Sequence, residues 1–243
     1  MDTLTAKPYL NLGSGRTKFP GERPVHHALV PEAIYDYPHW LNISKNASEE
    51  PDCVMDLFAY PWALESNAYG GALLSHLVEH IPHEITITVP NNELKKYAGS
   101  SKGAIDKHFA RYKELAAMQD GWYAFFAELY RVLTPGAMVY ILSPFGWSNG
   151  AITDPTHTRY LTEFTFTHSM QPDPNSPFEY ATGGINFRMV GHSFGLTHWF
   201  QHLAPQAFDS PETVHNKQLL LQEALSTRLN VVSDLYVQLE CVK

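Results

Sequence analysis

The stretch PYLNLGSGRTKFPG, residues 8–21, decides the fold. Its short apolar run, Tyr9 to Leu12, reads as a buried strand ending at Gly13, and a Gly-Ser-Gly turn follows at once. A strand running into a glycine-rich turn is how open α/β sheets bring backbone N–H groups close to a ligand, because glycine lacks the Cβ that would hold the ligand away. The turn alone does not name that ligand. Lys18 stands where the third glycine of a GxGxxG pattern would be, which argues against a dinucleotide pyrophosphate site.

Outward from this stretch, apolar runs recur at Trp40 to Ile43, at Val54 to Leu57 and at about Ala72 to Ser75, and each is expected to be a strand. Residues 83–117 are less regular, with the polar NNELKKYAGSSKGAIDKH in their middle, and read as an insertion within a single domain spanning 1–243. DGWYAFFAELYRVLTPGA predicts a helix capped by Asp120, with Trp122, Phe125, Phe126, Leu129 and Leu133 on one face and Pro135-Gly136 as the stop. MVYILSP is the next expected strand, DPTHTRYLTEFTF a loop entering a short helix, and ETVHNKQLLLQEALSTRL an amphipathic helix before a last strand, VVSDLYVQLECV. Strands alternating with helices predict a mostly parallel central sheet with helices on both faces, the Rossmann-like α/β class.

Composition narrows the function. The 243 residues suffice for one sizeable core, and 44% hydrophobic with 17% charged residues is the balance of a soluble globular protein. A net charge of −8, with no basic run longer than Lys95-Lys96, gives a nucleic-acid groove no electrostatic support. Cys53 and Cys241 are the two cysteines and form no CxxC, so neither a disulfide framework nor a cysteine zinc site is expected, and a reducing cytoplasm fits. The first residues lack a basic segment followed by an apolar one, and nowhere do 18 apolar residues run together, so neither export nor membrane insertion is expected.

The ordered set LNLGSG, WLNIS, PDCVMDL, SHLVEH, ELYRVLTPG and DPTHTRYLT, from about residue 9 to 166, resembles the class I S-adenosylmethionine-dependent methyltransferases. The resemblance implies a Rossmann-like class I fold, S-adenosylmethionine as cofactor, and a pocket along the carboxyl ends of the strands. It assigns the cofactor to Leu12, Gly13, Ser14 and Gly15 of the first turn, Asn42 and Ser44 after the second strand, Asp56 and Leu57 after the third, and His76 after the fourth. Gly13 and Gly15 would let the backbone approach the methionine portion, and the Asp56 carboxylate would accept from the adenine amino group. Family members commonly carry an acidic residue at the end of the second strand, where this chain has Ser44. Either Asn42 and its neighbours hold the ribose, or affinity is low, or cofactor binding has been lost.

In the family arrangement the polar DPTHTRY segment faces the cleft. His80, Asp154, His157 and Arg159 then become the candidates to orient an acceptor or take its proton, histidine titrating near neutrality. HLVEH, His76 to His80, also has the HxxEH spacing of inverted zinc peptidases, whose two histidines need one helix face. GGALLS before it reads as strand and Pro82 leaves little helix after it, so no metal is expected there. His198 and His202 are expected to be packing or surface residues. The reading is methyl transfer to an acceptor that is a small molecule rather than nucleic acid, the chain lacking the Asp/Asn-Pro-Pro-Tyr and Pro-Cys signatures of base methylation. The alternative is a methyltransferase-like binding module without catalysis, with the zinc peptidase behind it.

Overall fold

In the computed structural model, residues 7–20, 29–89, 91–97, 99–118, 120–170 and 184–243 are described. The strand predicted at the opening stretch is β1 (Tyr9–Leu12), central and fully hydrogen-bonded on both sides. It lies between β2 (Trp40–Ser44) and β5 (Tyr69–Ser75), both parallel to it, so that Leu10 sits between Leu41 and Ala72, and Leu12 between Ile43 and Leu74. A strand buried on both faces needs such apolar neighbours, and the register supplies them.

Seven strands make the main sheet, in the order β3-β2-β1-β5-β7-β9-β8, with β3 (Cys53–Val54), β7 (Leu133–Pro144), β8 (Phe187–Leu196) and β9 (Val232–Cys241). All pairs are parallel except those of β9, which runs antiparallel between β7 and β8. The chain lays down β1, β2 and β3 to one side and then returns to the other side of β1 with β5. The carboxyl ends of β1 and β5 therefore form a topological switch point, the place where open sheets leave a crevice. Two short strands, β4 (Ala59–Tyr60) and β6 (Thr86–Ile87), pair outside this sheet.

The structure refines these expectations. The third strand was expected over Val54 to Leu57 but pairs only at Cys53–Val54, because Asp56 turns the chain by accepting from the Phe58 N–H at 2.9 Å. The segment 83–117 holds, besides β6, three short helices: α2 (Asn91–Lys96), α3 (Lys102–His108) and α4 (Ala110–Ala116). β8 was not foreseen; it is an edge strand broken by Gly191 and Gly195, with no run of buried side chains to announce it.

The helix capped by Asp120 is α5 (Gly121–Val132), its cap carboxylate accepting from Trp122 N–H at 2.7 Å. Trp122, Phe125, Phe126 and Leu129 are buried in the main core, against the sheet face that carries Leu10, Leu12, Leu74, Val139 and Ile141. Leu133, expected on this helix, already begins β7. The opposite face, with Leu73 and Tyr140, is covered among the described residues by Phe19, Val30 and Tyr35, the last on the one-turn helix α1 (Glu32–Tyr35). No described helix is long and apolar enough to cross a membrane.

A buried charge network fixes α5 to the rest. Glu128 is fully buried, and its carboxylate accepts from Trp62 N–H at 2.7 Å, from Arg111 at 2.8 and 3.0 Å and from Arg131 at 2.8 and 3.0 Å. Burial works to raise its pKa, and the Arg131 and Arg111 guanidiniums with the Trp62 N–H outweigh it, so the pKa is lowered. Glu128→Gln leaves these donors under-satisfied and should cost about 3–5 kcal/mol. Because the folded pKa lies below the unfolded carboxylate value of about 4.3, the wild-type contribution is present above that value and lost as pH falls through the folded one. The melting-temperature gap between wild type and variant should therefore be wide near neutrality and close in acid; a pH-independent gap would refute this account.

Candidate functional site

A cavity of about 540 Å³ opens at the switch point, walled by Gly13 and Gly15, by Ser44 and Glu49, by Asp56 and Leu57, and by Leu77, His80 and Thr156. These residues lie at or after the carboxyl ends of β1, β2, β3, β5 and, for Thr156, β7. Gly13 and Gly15 hold φ of +69° and +54°, which L side chains adopt only with strain. A Cβ on Gly13 would also stand 3.0 Å from Leu77 Cδ1, so the Leu77 side chain would have to shift by a few tenths of an ångström to admit it.

Of the expected cofactor residues, Gly13, Gly15, Ser44, Asp56 and Leu57 line the cavity, while Leu12, Ser14, Asn42 and His76 do not. Leu12 is fully buried in the core, and Ser14 is tied to β2 through its N–H and the Ile43 carbonyl at 2.8 Å. Asn42 is spent on structure. Its Nδ2 donates to the Phe19 carbonyl at 2.9 Å and to Asp52 at 2.7 Å, and its Oδ1 accepts from Asn11 Nδ2 at 2.9 Å and Phe19 N–H at 3.0 Å. A side-chain amide with four such bonds has no group left for a ribose.

The carboxylate missing at the end of β2 arrives from five residues further on. Ala47–Glu49 forms a single 3₁₀ turn capped by Asn46, whose Oδ1 accepts from Ser48 N–H at 3.1 Å, and the turn carries Glu49 back to the cavity wall. There the Ser44 hydroxyl donates to Glu49 Oε2 at 2.5 Å. The Asn-Ala-Ser-Glu spacing is that of a capping box, and read as such it would have placed Glu49 beside the strand end.

The acceptor-side candidates divide. HLVEH is no helix: His76 has φ of +51° and Val78–His80 is a single 3₁₀ turn, so His76 and His80 share no helix face. The DPTHTRY segment docks on this turn, Thr158 and Arg159 N–H donating to the Glu79 carbonyl at 2.9 and 3.2 Å and Thr158 Oγ1 to the Ile81 carbonyl at 2.7 Å. Docking brings the His80 and His157 rings together, edge to face, with centroids 4.7 Å apart. Asp154 is exposed and accepts from Thr156 N–H at 2.8 Å and Thr156 Oγ1 at 2.6 Å; the Thr156 hydroxyl and N–H hold its pKa below the ordinary value. His76, half exposed, has Nδ1 3.4 Å from Glu79 Oε1, and the Glu79 carboxylate raises its pKa against the opposing effect of burial.

Arg159 is not brought to this cavity. Its guanidinium donates to the Ile81 carbonyl at 2.7 Å, to the Pro82 carbonyl at 2.9 Å and to the Asp120 carboxylate, and lies over the Trp122 ring. It lines a second cavity, of about 760 Å³, together with Asp120 and Trp122. Burial tends to raise the Asp120 pKa, but hydrogen bonds from Trp122 N–H, His83 and Arg159 leave it lowered.

No family model matches the chain, and no curated protein matches it in sequence. Among solved structures it resembles a SAM-dependent methyltransferase from Archaeoglobus fulgidus, with a TM-score of 0.53 at 16% identity over 97% of this chain and 86% of that one. Weaker likenesses include the [4+2]-cyclase SpnF, at TM-score 0.46 and 10% identity over 98% and 75% of the chains. A further one is an S-adenosylmethionine-dependent methyltransferase from Mesorhizobium loti, at 0.43 and 9% over 97% and 91%. The first likeness, with the strand order, shows that the chain has the Rossmann-like class I methyltransferase fold.

Arg159→Ala should lower stability by about 2–4 kcal/mol, since two carbonyls and a carboxylate lose a charged donor. Ligand affinity at the 540 Å³ cavity should stay within about twofold by calorimetry. Unchanged stability with lost affinity would return Arg159 to the site.

Proposed function

We propose that this chain is an S-adenosylmethionine-dependent methyltransferase acting on a small molecule. One observation carries the reading: the switch-point cavity combines two positive-φ glycines with a carboxylate after β2, Glu49, and another after β3, Asp56. That donor set fits the cofactor. Gly13 and Gly15 leave room for the backbone to approach its methionine portion, Glu49 is a strong acceptor for two ribose hydroxyls, and Asp56 can accept from the adenine amino group beside the apolar Leu57. Ser44, which accounts for the missing strand-end acid, becomes the residue that orients Glu49.

When bound, the cofactor supplies an electrophilic methyl group. The chain's own work is to align an acceptor with it and exclude water, so orientation carries much of the rate. His80 and Thr156 form the acceptor side of the wall, with His157 packed behind His80 and Asp154 bracing Thr156. The net charge of −8 favours a small acceptor over a polyanion.

S-adenosylhomocysteine should raise the melting temperature of the wild-type chain, by the equivalent of about 2.7 kcal/mol at a hundredfold excess over Kd. Gly13→Val should abolish the shift while the fold survives, and Glu49→Gln should weaken binding about tenfold or more, as expected for a lost charged acceptor. His80→Ala should leave affinity nearly unchanged and lower turnover by roughly 10²-fold once an acceptor is found by screening. No shift in the wild type would sink the proposal, and a shift without turnover of any acceptor would favour the non-catalytic module.

A further inference from the structure

Among the described residues, Glu79 is a buried carboxylate, 1% exposed, with neither oxygen hydrogen-bonded. His76 Nδ1 approaches one oxygen at 3.4 Å without forming a hydrogen bond, and its own ring is half exposed. A buried carboxylate with no hydrogen bond and one half-exposed imidazole as its ion-pair neighbour is poorly compensated, and a fold retains such a group where something positive completes it.

Two imidazoles stand ready beside it. Glu79, His80 and His157 each present one ligand atom, and these atoms all lie within 4.8 Å of one another. The ring tautomers follow from the neighbours. His80 Nδ1 faces the Thr156 carbonyl at 3.2 Å, and His157 Nδ1 faces the Ala151 carbonyl at 3.1 Å. A carbonyl oxygen only accepts, so both Nδ1 atoms carry the proton and both Nε2 atoms keep a lone pair. Ring N–H groups donated to backbone carbonyls are the usual outer support of metal-bound histidines.

We propose that Glu79, His80 and His157 form a binding site for a divalent transition-metal ion of the zinc class. Two imidazoles and one carboxylate are a known ligand set for such ions, leaving open positions for water or substrate. With bonds of about 2.0–2.2 Å the ligand atoms would draw together by shifts on the order of 1 Å. Asp154, whose Oδ2 lies 3.7 Å from His157 Nε2, flanks the exposed side. The ion would lie beside the wall that His80 and Thr156 give the 540 Å³ cavity. This set differs from the HxxEH reading of the sequence: it drops His76 and recruits a histidine from 77 positions beyond His80.

The test is titration of the tag-free, EDTA-treated and desalted full chain with Zn²⁺ by calorimetry and with Co²⁺ by visible absorption. The wild type should bind one ion per chain and show the intense cobalt bands of a four- or five-coordinate nitrogen and oxygen site. Glu79→Gln and His157→Ala should each weaken binding roughly 100-fold or more, beyond the 10–100-fold typical of a lost outer partner. The double variant His198→Ala, His202→Ala, which alters exposed histidines far along the sequence, should bind as the wild type does. If Glu79→Gln fails to fold, His157→Ala with the cobalt spectrum decides. Absence of wild-type binding, or binding that survives both Glu79→Gln and His157→Ala, overturns the proposal. S-adenosylhomocysteine binding is read separately, so either reading can fail alone.

Discussion

Five hydrogen bonds to two carbonyls hold the site together. The carbonyls of Glu79 and Ile81, on the turn after β5, accept from the backbone and side chains of Thr158 and Arg159, in the segment after β7. They can meet because β5 and β7 are parallel neighbours, Ser75 pairing with Leu142, so both strands release their following segments at the same edge of the sheet. The same docking buries Glu79, seats His157 against His80 and sets Thr156 in the cavity wall. Arg159 then extends the link to Asp120, which caps α5, so the long core helix and the site share one anchor.

Two buried glutamates show how differently the fold treats charge. Glu128 is surrounded by two guanidiniums and a backbone N–H, and its pKa is lowered despite complete burial. It is a structural joint, holding α5 to the segment around Trp62. Glu79, equally inaccessible, has no such set of donors. A satisfied buried ion stabilises one geometry, whereas a buried carboxylate without hydrogen bonds is a place where a further polar or positive partner, such as water or an ion, can be accommodated.

Glu49 and Asn42 carry a related lesson about reading a strand end. The sequence position directly after β2 suggested that the ribose acceptor was absent, and Asn42 offered itself as a replacement. Asn42 is instead consumed in tying β1, β2 and the Phe19 loop together, and a capped 3₁₀ turn brings the Glu49 carboxylate to the cavity wall beside Ser44. What matters for a ligand is where an oxygen lies in space, and a one-turn detour can move that oxygen by five positions in the chain.

The sequence by itself determined β1 and its glycine turn, the second strand, the Asp120-capped helix and the final strand, because apolar periodicity, capping residues and glycine act over a few residues. It also determined the order of motifs that marks this α/β class. It did not reveal β8, whose edge position and two glycines leave no buried periodicity, nor the early end of β3, which a side-chain turn at Asp56 decides. Only the tertiary structure withdrew Arg159 into a joint, gave Glu49 to the cavity and gathered Glu79, His80 and His157. The reason is physical: these contacts depend on which strands lie side by side, and strand order is set by burial summed over the whole sheet.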